Sequence, residues 1–235
     1  MMQEKRLSKT LQSAGIASRR GAEALIFDGH VKVNGVVIKK PETHVDPEND
    51  QILVHDRPVK PVDEKFYFVL NKPRGYVCSN KKIDRKKLVV DLFSNLDARL
   101  FTVGRLDRDT TGLLILTNDG HFANKVIHPS SNIEKEYLVK VKEEVTDEHL
   151  KRISRGGMVE EFFVKPKSVK KVRKGTIKIV VKEGKKREVR RFIEKASLSL
   201  LELKRIRIGN LRLGPLEEGQ YRSLNEKERE LIFFR

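Results

Sequence analysis

Gly104-Arg105-Leu106-Asp107-Arg108-Asp109-Thr110-Thr111-Gly112 runs directly into Leu113-Leu114-Ile115-Leu116-Thr117 and then Asn118-Asp119-Gly120. An apolar run of strand length closed by Asn-Asp-Gly predicts a buried strand ending in a turn, so the charged loop before it should be held by the core. That loop sets Asp107 between Arg105 and Arg108, whose positive charge should keep the carboxylate ionised. An ionised aspartate is a nucleophile or a base, or else an ordinary loop residue paired to an arginine. The loop alone leaves these readings open.

A chain of 235 residues with 38% hydrophobic content can form one large domain, or a small one and a medium one. A lone cysteine, Cys78, excludes an internal disulfide and a cysteine-rich metal site, as expected in a reducing compartment. The opening Met-Met-Gln-Glu-Lys-Arg leads into no apolar segment, and no stretch reaches the roughly 18 apolar residues of a membrane span. A cytoplasmic protein without membrane contact is the expectation. Metal-ligand spacing, a Gly-rich phosphate loop after a strand and a patterned Ser-His-Asp set are all missing, which leaves aspartate chemistry without metal or cofactor.

Charge points to the partner. The formal net charge is +17, of which residues 1–59, with nine Lys/Arg against eight acids, supply only +1. Residues 165–191 hold thirteen Lys/Arg against Glu183 and Glu188, interleaved with Val and Ile at strand spacing. Such alternation predicts a folded cationic surface for a polyanion.

Before the central stretch, Leu7, Leu11 and Ala14 share a face of a helix over 5–14, and Ser18 caps a second helix over 19–27 with Ala22, Leu25 and Ile26 inward. Val31-Lys32-Val33, Asn34-Gly35 and Val36-Val37-Ile38 read as a hairpin. Arg6, Lys9, Arg19, Arg20 and Lys32 gather around these helix starts and suit phosphate contacts. Pro58 and Pro61 mark a linker, giving domains of 1–60 and 61–235. A strand at 66–70 and a turn at 71–75 open the second domain, and residues 79–87 read as a mobile loop. After the central stretch come a helix at 121–127, a strand from Lys135, a helix at 146–153, and strands at 158–164, 168–173 and 176–182 in a meander. The apolar-basic alternation of 198–213 follows, then a last helix with Ser223 to Glu226 as its capping box.

The residues also carry a resemblance. Residues 4–55, through Ala-Gly-Ile-Ala-Ser-Arg-Arg and Gly-His-Val-Lys-Val-Asn-Gly, are similar to the small S-four RNA-binding domain. Gly21 stands where that family usually has an acid. The central stretch resembles the signature of bacterial ribosomal RNA pseudouridine synthases: Gly-Arg-Leu-Asp, two residues, Thr or Ser, one residue, Gly-Leu-Leu and then Thr-Asn-Asp-Gly. Lys72-Pro73-Arg74-Gly75 resembles that family's opening motif. Glu183 to Phe192 resembles its Glu-Gly-x-x-Arg-Gln-Val-Arg-Arg-Met, with Glu188 and Phe192 in place of glutamine and methionine.

The resemblance implies an α+β protein in which a small N-terminal S-four-like domain precedes a catalytic domain on a mixed, mainly antiparallel sheet. It implies Asp107 as the catalytic aspartate and Arg190 as its two-pronged ion-pair partner. Tyr137, a core tyrosine on its own sequence context, becomes the platform that stacks the target base. Arg105, Lys185, Lys186, Arg187 and Arg191 join the N-terminal cations as RNA-binding residues. The implied activity is cofactor-free isomerisation of uridine to pseudouridine by a monomer acting on ribosomal RNA or an assembling subunit. Large-subunit RNA is preferred to small-subunit RNA. A non-catalytic ribosome-assembly protein would share the charge and the first domain, but has no need of Asp107, Tyr137 and Arg190 together.

Overall fold

The computed structural model describes residues 4–60, 64–96 and 98–234. Its contacts divide the chain into two compact units, Met1–Lys65 with Asn118–Gly120, and Phe66–Thr117 with His121–Arg235.

In the first unit, β1 (Lys5–Arg6) leads into α1 (Leu7–Ser13) and α2 (Arg19–Phe27), followed by β2 (Val31–Val33), β3 (Val36–Val37), β4 (His44–Val45), β5 (Ile52–Val54) and β6 (Arg57–Pro58). Leu7, Leu11, Ala22 and Ile26 pack with Val31, Val45, Ile52 and Val54 into one small core. The Ser18 hydroxyl accepts from the Gly21 amide at 3.1 Å and starts α2. Asn34 and Gly35 both take positive φ, which closes the β2–β3 hairpin.

Two expectations change here. Lys5 and Arg6 lie in a strand paired to β4, so α1 starts at Leu7. Pro58 is not linker: β6 pairs with β5 through a turn at His55 and Asp56, both at positive φ. Proline is tolerated there because β6 is the sheet's edge in the order β3-β2-β5-β6. Pro61 lies outside the described residues.

The second unit contains β7 (Tyr67–Lys72), β8 (Phe101–Val103), β9 (Thr111–Thr117), α3 (Gly120–Ile127), β10 (Lys135–Val141), α4 (Asp147–Ser154), β11 (Gly157–Val159), β12 (Phe162–Val164), β13 (Ser168–Arg173), β14 (Thr176–Val181), α5 (Glu188–Lys195), β15 (Leu200–Ile208), β16 (Leu211–Arg212), β17 (Tyr221–Ser223) and α6 (Glu226–Leu231). Its main sheet runs β13-β14-β10-β15-β9-β7-β17, with β8 beside β9 and β16 beside β15. Every pairing in it is antiparallel except β9 with β15.

Strand β9 is buried along its whole length because both faces of the sheet are covered. Leu114 and Leu116 join a core with Val89, Phe93, Ile153, Phe192 and Ile193 on one face. Leu113 and Ile115 join Phe122, Val126 and Ile232 on the other. That is why its sequence is a continuous apolar run rather than an alternation.

The expected single strand over 158–164 is instead the hairpin β11–β12, a sheet of its own. Glu160 at positive φ turns it, and neither Glu160 nor Glu161 is a strong turn signal. The last helix is capped by Asn225, whose side chain accepts from the Glu228 amide, while Ser223 ends β17. The opening strand also extends through Asn71 and Lys72, which the sequence placed in a turn.

Candidate active site

The parallel junction of β9 and β15 fixes the position of the Asp107 loop. Gly112 lies opposite Arg205 at φ +102, and a Cβ there would stand 2.2 Å from the Arg205 carbonyl oxygen. Only glycine allows that approach. Arg205 in turn lies opposite Tyr137 on β10, so Gly112, Arg205 and Tyr137 line up across three neighbouring strands. The loop therefore ends two strands from the tyrosine, with Arg205 between them.

Lysine 72 ties the loop down. Its side chain is fully buried, and the ammonium donates to the carbonyls of Pro73 (2.9 Å), Arg108 (3.3 Å) and Thr110 (2.9 Å). Three acceptors match the three protons of an ammonium. Burial pulls its pKa below the usual lysine value, against the raising pull of Cys78, Asp109, Glu218 and Asp107. The Gly75 amide also donates to the Arg108 carbonyl, at 2.8 Å. The sequence marks residues 71–75 only as a turn. That segment is the brace of the Asp107 loop.

Helix α5 brings the opposing charge. Arg190, on its first turn, places Nε 3.3 Å from Asp107 Oδ2, and its Nη2 donates to Thr110 Oγ1 at 3.0 Å. The guanidinium thus divides its fork between Asp107 and Thr110, in place of the expected two-pronged grip on the carboxylate. The Nε contact is a charge contact: Nε–H makes no aligned hydrogen bond. Arg105 and Arg108, the sequence neighbours expected to hold the carboxylate, are exposed. A partner 83 positions away does so because the fold, not chain proximity, sets it.

The segment leading into α5 is held from two sides. Glu188, buried, accepts from the amides of Gly184 (3.0 Å) and Lys185 (3.1 Å). Burial raises its pKa, opposed by those two amides. A glutamine oxygen could accept the same two bonds, so the departure from the family pattern keeps the contact. Lys135 donates to the carbonyls of Lys182 (3.1 Å) and Glu183 (3.0 Å), and burial, helped by Arg205, pulls its pKa down to about 8.

Asp107, Tyr137 and Arg190 line one cavity of about 540 Å³, together with Arg105, Arg108, Lys185, Lys186 and Arg187. That volume suits a nucleotide-sized group. Tyr137 is 9% exposed, packed in the core of the sheet and also lining the cavity. Cys78 is there too, its sulfur accepting from the Leu106 amide at 3.5 Å and its thiol pKa pushed up by burial. Arg191 points elsewhere, pairing with Glu194 at 3.0 Å.

The 165–191 run is not one free cationic face. Lys167 pairs with Glu134, Lys178 with Glu136, and Lys171 and Lys174 with Glu144, all acids outside that window. In the first unit Arg6, Lys9, Arg19 and Arg20 are exposed, Arg19 lying 3.8 Å from Glu23, while Lys32 is bound to Asp56 at 2.6 Å.

The braced Asp107 loop, the Arg190 contact, Tyr137 and a rim of Lys and Arg thus meet in one cavity. The chain belongs to the RNA pseudouridylate synthase family, whose model matches residues 66–195, and the S4 domain model matches residues 5–52. It is thus a bacterial-type RNA pseudouridine synthase, an isomerase, with an N-terminal S4 RNA-binding domain. It is 43% identical to an uncharacterized RNA pseudouridine synthase of Aquifex aeolicus, over 99% of this chain and 95% of that protein. It is 41% identical to ribosomal large subunit pseudouridine synthase B of Bacillus subtilis, over 95% and 93%. A putative chloroplastic large-subunit synthase of Arabidopsis thaliana is 44% identical, and this chain spans 60% of its length. A crystal structure of a pseudouridylate synthase superposes with a TM-score of 0.70 at 32% identity, covering 97% of this chain and 99% of that one. Among the described residues, no helix is long and apolar enough to cross a membrane.

Proposed function

We propose that this protein isomerises a specific uridine of large-subunit ribosomal RNA to pseudouridine, with Asp107 as the catalytic carboxylate. The observation that carries the reading is the Asp107–Arg190 pair at 3.3 Å inside a cavity floored by Tyr137. The names of the Bacillus subtilis and Arabidopsis relatives support the large subunit as target.

The reaction breaks the bond from uracil N1 to ribose C1′ and joins C1′ to C5. The C5 proton leaves to solvent and N1 gains one, so no electrons are exchanged and no cofactor is required by the balance. The uridine must leave its stack to enter the cavity, where the Tyr137 ring receives its face and Lys185, Lys186 and Arg187 meet the backbone phosphates. Arg190 and Thr110 together fix the carboxylate relative to the ribose. Attack on C1′, attack on C6 and removal of the C2′ proton all need a carboxylate aimed from this loop. Residues 1–60 act as a separate holding domain, with Arg6, Lys9, Arg19 and Arg20 on phosphate. The protein works as a cytoplasmic monomer on free RNA or an assembling subunit.

Mapping pseudouridines in ribosomal RNA from cells with and without the protein tests this. The reading predicts loss of at least one large-subunit pseudouridine, and an unchanged map refutes it.

A further inference from the structure

The β11–β12 hairpin leaves three large apolar side chains in water: Met158, Phe162 and Phe163 are 59%, 53% and 56% exposed. Its inward residues, Gly157, Val159 and Val164, are buried, so the exposed ones serve no core. The hairpin is also held firmly. Lys195 Nζ donates to the Gly156 carbonyl at 2.8 Å, and Val159 and Val164 pack in the same core as Phe192 and Ile193. The helix that carries Arg190 therefore anchors the hairpin as well.

The two phenylalanines differ in what they meet. Phe163 pairs across the hairpin with Met158, and Lys165 Nζ lies 5.8 Å from its ring centroid. Phe162 lies next to the active cavity: Lys185, which lines that cavity, holds its Nζ 3.8 Å from the Phe162 ring centroid. An exposed aromatic face thus continues the basic rim of the site. Extruding a uridine unstacks its neighbours in the RNA, and an aromatic ring beside a cation is suited to take over that stacking.

We propose that Phe162 is a stacking platform for an unpaired nucleotide flanking the target uridine, with Lys185 reaching the phosphate between the two. This rests on the uridine-isomerase reading of the cavity. The chain contains no tryptophan, so a single introduced indole reports locally. In the full chain, Phe162→Trp should show saturable quenching of its emission on addition of a single-stranded oligouridylate of about twelve nucleotides. Phe163→Trp, on the other side of the hairpin, should not. Phe162→Ala should weaken binding of the same oligonucleotide by roughly tenfold and Phe162→Tyr should restore it, as expected for loss of one base–aromatic stack. The site is exposed, and matching thermal melts will show that these variants fold.

No quenching at position 162, equal quenching at 162 and 163, or wild-type affinity in Phe162→Ala would each overturn the proposal. Pseudouridine formation by the wild-type chain is scored separately. If it occurs without quenching at 162, only this inference fails; if it is absent, the reading of the cavity itself fails.

Discussion

Replacing Arg190 probes the site where sequence and fold meet. At 3.3 Å, with an effective dielectric of about 20, two full charges attract by roughly 5 kcal/mol. The Asp107 side chain is 38% exposed and that of Arg190 18%, so solvent screening reduces this to about 2 kcal/mol. The hydrogen bond from Nη2 to Thr110 Oγ1, charged on the donor side, adds about 1 to 2 kcal/mol. Arg190→Ala should therefore lower the single-turnover rate by roughly 150- to 900-fold, if the pair is needed in the transition state. A lysine can reach Asp107 or Thr110 but not both, so Arg190→Lys should lose about tenfold. RNA carrying tritium at C5 of uridine gives the assay, because forming the C1′–C5 bond releases that hydrogen to water. RNA affinity should change little in either variant, whereas Arg187→Ala, at the exposed rim, should weaken binding instead. Tritium release by Arg190→Ala within about threefold of wild type would refute a catalytic role for the pair.

Lys72→Met removes the donor to three carbonyls and should cost about 3 kcal/mol or more by urea denaturation; an unchanged midpoint would remove its role as a brace. Glu188→Gln keeps both bonds to the loop amides and relieves a buried charge, so it should match or exceed wild-type stability at neutral pH by about 1 kcal/mol. Glu188→Ala, which orphans both amides, should lose about 2 to 4 kcal/mol. Because burial raises the folded pKa of Glu188, wild type should regain ground on Glu188→Gln as pH falls, and the reverse trend would contradict the burial argument. Lys135 works in the opposite pH range: with a folded pKa of about 8 against 10.5, the unfolded chain binds more protons between these values. Wild-type stability should thus rise relative to Lys135→Met from about pH 8 to 10.5, by a kcal/mol or two, and a flat difference would contradict it.

Much of this architecture is readable because local signals coincide with tertiary ones. Ser18 before Arg19, Asn34-Gly35 between valines and the unbroken Leu113–Leu116 run each satisfy propensity and burial at once. Reading fails where partners come from afar. The His55-Asp56 turn has no strong signature, and Pro58 reads as linker until its edge position is known. Lys72 looks like a surface cation, and only the fold supplies the three carbonyls that bury it. The charge of residues 165–191 looks uniform until Glu134, Glu136 and Glu144 arrive from other segments. Arg105 and Arg108 flank Asp107 in sequence, yet Arg190 meets it.

Asp107→Asn tests the central claim most directly, since it keeps the side chain's size and removes its charge. With purified protein and unmodified large-subunit ribosomal RNA transcript, wild type should form pseudouridine and the variant none, while both bind the RNA with affinities within about threefold. Pseudouridine formed by Asp107→Asn at the wild-type rate would contradict the account.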